Sequence, residues 1–144
     1  MVSCPSRDNA LELLHEYTKT DSLRRHALGV EQAMRKMADK YNGDPDEWGL
    51  AGLMHDFDYE KYPSMEEHPF RGNKILKENG YPESITRAIM GHATYSGIPR
   101  DSDMAKALFA VDELTGFIFA VTYVRPSKSI FEVKPKSVKK KLKS

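Results

Sequence analysis

Apolar residues recur at helical spacing in one segment after another, separated by short polar or Gly/Pro breaks. Leu11, Leu14 and Tyr17 give an amphipathic helix over residues 8–19. Leu23, Ala27, Val30, Met34, Met37 and Tyr41 follow in alternating steps of four and three, which predicts a helix over 22–41. Asp21 or Ser22 suits its N-cap, and Asn42-Gly43 its end. Asp44-Pro45 opens a third helix, with proline fitting the first turn, that runs through Trp48, Leu50 and Leu53 to His55-Asp56. A loop over 57–63 closes at Pro63. Ser64 and Glu67 read as a capping box for a helix carrying His68, Ile75 and Leu76, which stops at Asn79-Gly80. Pro82 opens a fifth helix through Ile85, Ile89 and His92, broken by Gly97-Ile98-Pro99. A long helix over about 102–124 ends before Pro126; a short extended piece over 129–133 is the most that strand patterning allows. The expectation is all-α: one helical bundle of about six helices. Residues 1–20 would pack a first helix on the core, 21–125 would form that core, and 126–144 a C-terminal extension.

Composition changes this picture little. A chain of 144 residues with 40% hydrophobic and 30% charged residues reads as one globular domain. The single cysteine, Cys4, allows no internal disulfide and no cysteine-based zinc site. The N-terminus lacks the basic-then-apolar pattern of a signal peptide. The longest apolar run, 116–124, falls short of the ~20 residues that cross a bilayer. These features predict a cytoplasmic protein with no membrane partner. Net charge is +1, yet Lys134, Lys136, Lys139, Lys140, Lys141 and Lys143 crowd the end of the chain without an acid, so the body is acidic. An acidic body argues against nucleic acid, and the lysine segment reads as a solvated, partly helical terminus.

Charge and histidine placement change it more. Four of the five histidines lie between positions 26 and 92, each on or beside a predicted helix. His26 sits among Leu23, Ala27 and Val30. Asp112 shares its helix with Leu108, Phe109, Gly116 and Phe119, and its nearest cations in sequence are Lys106 and Arg125. An unpaired carboxylate on an apolar face costs several kcal/mol, so protonation, a partner or a metal is required. A metal accounts for it with the fewest additional groups. His55-Asp56 closes its helix, where the two side chains diverge by about 100°, a geometry suited to an aspartate bridging two ions while the histidine binds one. With His68 and His92, the set His26, His55, Asp56, His68, His92 and Asp112 supplies six ligands for one or two divalent ions. His/carboxylate ligation is compatible with Mn, Fe, Co, Ni, Zn or, less well, Mg. His15 lies outside this spacing and reads as structural or solvated.

The order His26…His55-Asp56…Asp112 resembles the HD superfamily of metal-dependent phosphohydrolases, over residues 21 to about 125. His68 and His92 match the further histidines of its dinuclear branch, which includes cyclic-dinucleotide phosphodiesterases and the di-iron oxygenase branch of myo-inositol oxygenase. Where many dinuclear members continue His-Asp-Ile-Gly-Lys, this chain has Phe57-Asp58-Tyr59. Asp58 is therefore expected to add negative charge near the metals and to disfavour a highly anionic substrate unless a cation compensates.

The resemblance implies hydrolysis of a small phosphate ester, with a nucleotide as one candidate, by metal-activated water. Asp56 would be catalytic as the bridge that orients the nucleophile. Arg71, three residues after His68, is the first choice for a phosphate contact; Lys61, Lys74 and Arg100 are further candidates. Tyr59, Tyr62 and Tyr95 could stack on a base or sugar. Two other readings share the same ligands: a di-iron oxygenase, and a non-catalytic domain that binds a nucleotide or partner. The substrate, the metal and the oligomeric state stay open at this level.

Overall fold

A computed structural model describes residues 4–125 and 127–143, and the described residues are all-helical. The helices are α1 (Arg7–Tyr17), α2 (Asp21–Lys40), α3 (Pro45–Met54), α4 (Phe70–Glu78), α5 (Glu83–His92), α6 (Asp103–Val124) and α7 (Pro135–Leu142). Short 3₁₀ turns occupy Thr94–Ser96 and Ile130–Glu132.

The centre of the bundle is α3. Every residue from Trp48 to Met54 is buried, as expected of a helix apolar on all sides. It lies along α2 and also packs on α1, α5 and α6. Gly52 permits the tight α2–α3 approach: a Cβ there would stand 2.8 Å from the Val30 carbonyl oxygen. Around α3 close Leu14, Val30, Met34, Phe57, Leu76, Ile85, Ile89 and Leu108, each at most 2% exposed. A buried carboxylate, Glu31, ties α1 to this core. Arg7 meets it with two hydrogen bonds of 2.6 and 3.0 Å, and Arg35 approaches to 3.4 Å. Such a fork between guanidinium and carboxylate fixes both partners.

Helix boundaries follow the sequence pattern, with instructive exceptions. Ser102 caps α6 by accepting from the Ala105 N–H, and Asp44 caps α3. The N-cap of α2 is Thr20, not Asp21 or Ser22, and its hydroxyl makes no cap bond because it donates to Glu60. The Glu60 carboxylate also accepts from the Lys19 and Thr20 N–H groups at 2.8 and 2.9 Å. Ser64 does not open a helix. It turns its hydroxyl toward the Glu67 carboxylate at 3.4 Å, a single turn leads to Pro69, and α4 starts at Phe70. His68 therefore precedes its helix instead of occupying the first turn. Residues 129–133 contain the 3₁₀ turn instead of an extended piece, and the lysine-rich segment forms α7, seated by buried Val138.

Helix α6 has the length and composition to cross a membrane. In this fold it packs on α2 and α5, with Met104, Ala105, Leu108 and Val111 buried.

Candidate metal centre

Four helices and one turn bring the six sequence-predicted residues to one place. His26 comes from the second turn of α2, His55 and Asp56 from the end of α3, His92 from the last turn of α5, and Asp112 from the middle of α6. His68 comes from the turn before α4. The imidazoles form a chain in the order His26, His55, His92, His68, with successive ring centroids 5.3, 5.3 and 5.5 Å apart.

Two ligand groups share one carboxylate. His26, His55, Asp56 and Asp112 place ligand atoms within 4.8 Å of one another, and so do Asp56, His68 and His92. On the first side, Asp112 Oδ1 lies 2.8 Å from His26 Nε2 and 3.1 Å from His55 Nε2. Asp56 Oδ2 faces the same side, 3.4 Å from His55 Nε2. On the second side, Asp56 Oδ1 lies 3.1 Å from His68 Nε2 and 3.0 Å from His92 Nε2. Each Asp56 oxygen thus faces a different group, as the divergence of adjacent helix-end residues suggests.

The rings are oriented from behind. His55 Nδ1 donates to the Gly52 carbonyl at 2.7 Å, and His92 Nδ1 donates to the Ile89 carbonyl. His68 Nδ1 donates to Asp58 Oδ1 at 2.7 Å. With Nδ1 so engaged, Nε2 of each ring points to the centre, the arrangement found where histidine binds metal. Ligands about 2.1 Å from one ion lie within about 4 Å of each other, so both groups are near the required spacing. Two carboxylates and four imidazoles have the hardness that divalent transition ions take.

The electrostatics agree. Burial opposes charge on His55, but Asp56 and Asp112 outweigh it and hold its pKa well above the ordinary value. Burial also opposes charge on His68, and hydrogen bonds to Asp56 and Asp58 push it up to about 9. Burial raises Asp56 and Asp112, yet His55, with His68 and His92 on Asp56 and His26 on Asp112, holds both well below the usual carboxylate range. A field that stabilises protons this strongly also favours divalent cations that replace them.

Asp58 departs from its expected role. It is 1% exposed and accepts from His68 and from the Gly72 N–H at 2.9 Å, so its charge is held behind His68 instead of repelling substrate. Three of the four cations expected to meet phosphate have other contacts, and the fourth, Lys74, is exposed on α4. Arg71 lies 3.5 Å from Glu67 and over the Tyr62 ring, Lys61 over Tyr17, and Arg100 donates to the Gly91 carbonyl and stacks on Phe109. Tyr95 donates to the His68 carbonyl at 2.6 Å, and Tyr59 meets the His68 ring edge-on. His15 is exposed and outside the centre.

A family model described as HD domain matches residues 23–116, an interval holding all six of these residues. Neither the curated proteins nor the solved structures contain a match.

Proposed function

This chain belongs to the HD-domain family, and on that premise we propose that it hydrolyses a small phosphate ester at a two-ion centre. The observation that carries the reading is the shared carboxylate: Asp56 presents Oδ2 to one ligand group and Oδ1 to the other. His26, His55, Asp56 and Asp112 would hold one ion, and Asp56, His68 and His92 the second. When bound, such a pair lowers the pKa of a bound water toward neutrality and neutralises charge on phosphoryl oxygens.

The chain's own residues do the positioning. Asp56 orients the nucleophile between the two groups. The Gly52, Asp58 and Ile89 contacts fix three imidazoles before substrate arrives, so little reorganisation accompanies the reaction. Arg71, 60% exposed at its side chain and held by surface contacts with Glu67 and Tyr62, would exchange them for an incoming phosphate. Tyr59, 43% exposed beside His68, offers a ring face to a base or sugar. The substrate reading is a small phosphorylated molecule, not nucleic acid.

The test is metal-dependent turnover. The protein is stripped of ions, restored with Mn²⁺, Co²⁺, Fe²⁺, Zn²⁺ or Mg²⁺, and assayed on phosphomonoesters, phosphodiesters and nucleotides. Hydrolysis that returns with the ion is the expected result. Stoichiometric ion binding without turnover on any class would overturn it. Full activity with redox-inert Zn²⁺ or Mg²⁺ separates hydrolysis from an oxygenase.

A further inference from the structure

The two ligand groups differ in charge. The group of His26 and His55 has two carboxylates, Asp56 and Asp112, whereas the group of His68 and His92 has only its share of Asp56. Beside the poorer group stands a third acid. Asp58 is almost fully buried, with Oδ1 2.7 Å from His68 Nδ1 and Oδ2 2.9 Å from the Gly72 N–H. Of the three histidines held from behind, His68 alone rests on a carboxylate; His55 and His92 rest on carbonyls.

We propose that Asp58 is a positioning residue for the second ion: it fixes His68 with Nε2 toward the centre, and this contact decides whether the His68–His92 group is filled. The inference rests on the two-ion reading above. Three features support it. The His68 backbone is pinned before α4 by its own N–H on the Ser64 carbonyl at 2.8 Å and by Tyr95 on its carbonyl, and Asp58 is the contact that holds its ring from behind. A carboxylate accepting from Nδ1–H makes the opposite nitrogen a stronger donor, and such partners are typically worth about 10–100-fold in metal affinity. The position is also built for a carboxylate at close range. A Cβ on Gly72 would stand 2.6 Å from Asp58 Oδ2, so glycine is needed for the acid to reach the α4 backbone.

Asp58→Asn separates positioning from bulk. Its amide cannot accept from both His68 and Gly72. If its oxygen keeps the Gly72 N–H, its NH₂ faces His68 Nδ1, and the ring must then carry its proton on Nε2, where it cannot ligate. Gly72→Ala is an independent route: the carboxylate stays but is pushed off His68.

Equilibrium dialysis of the full chain against Co²⁺, with elemental analysis and circular dichroism, reads the result. Wild type is expected to take two ions. Both variants should keep the first ion within about 2-fold and wild-type helicity, and weaken the second by about 10–100-fold. Unchanged binding of the second ion overturns the role of Asp58 and leaves the two-ion reading standing. So does parallel weakening of both ions with loss of helicity, which marks a structural role. A wild type that takes one ion or none overturns the two-ion reading, and the proposal falls with it.

Discussion

The two sides of the centre are built by different means. His26 and Asp112 rise from the interiors of α2 and α6, helices that pack on each other and on the buried α3. His68 and His92 stand at element ends, one before α4 and one in the last turn of α5. On the first side, ligand geometry comes from helix packing. On the second, His92 is still set by its helix, but His68 is set by contacts across a turn: the Ser64 carbonyl on its N–H, Asp58 behind its ring, and Tyr95 on its carbonyl. A site set by packed helices changes only when the core changes. A site set by a few side chains is open to adjustment residue by residue.

Breaking the link between the sides should have the largest effect. Asp56→Ala removes a ligand from both groups, so ion content should fall below one per chain and kcat/KM by at least about 10³-fold. Elemental analysis and steady-state kinetics on the same preparation check it; two ions retained would remove Asp56 from both groups. His26→Ala and His92→Ala come next, and they test the division itself. Each is expected to cost one ion and spare the other, in a ratio read by Co²⁺ titration. If either substitution released both ions, the two sides would not be separate.

The pH dependence is smaller and has opposite signs with and without ions. His68 is raised to about 9 in the folded protein, from an ordinary value of 6.5. Its stabilising contribution to the ion-free protein is full below about 6.5 and lost as pH rises through about 9. The ion-free melting temperature should therefore fall across that window. Ion binding must displace the same proton, so Co²⁺ affinity should rise over the same range. Calorimetry and titration at matched pH read the two trends, and parallel slopes would argue that His68 does not bind the ion. The smallest effect is expected from Tyr95→Phe, which deletes the bond to the His68 carbonyl and should cost about 0.5–1.5 kcal/mol in thermal unfolding.

Most of this cluster is legible in the sequence because its chemistry conflicts with its surroundings. Asp112 stood on an apolar face without a nearby cation, and the fold answers with His26 and His55. The steps of three and four along α2 and the Asp44-Pro45 start of α3 placed His26 and the His55-Asp56 pair correctly, since both rest on local periodicity. What depends on contacts across a loop was not legible. Thr20 does not stand out as N-cap because Asp21 and Ser22 are equally good by type; Glu60, forty residues away, decides it. Asp58 reads as a repulsive charge until the chain turns back and presents His68 and Gly72 to it. One trace was available: Gly72 and Leu76 are the buried residues of α4, one turn apart. A glycine on an inward face leaves room for something to approach, and an unexplained acid lay fourteen residues before it.

The sharing of Asp56 has a thermodynamic consequence. On the two-ion reading, ions that used opposite oxygens of one carboxylate would be coupled. The first to arrive would fix the orientation of Asp56 and draw on its charge, and so change the affinity of the second by some factor. Linkage requires that the second change the first by the same factor. Occupancy of the pair should therefore respond to free ion concentration with a slope different from that of two separate sites. The steepness of that response is written into the placement of a single side chain at the end of α3.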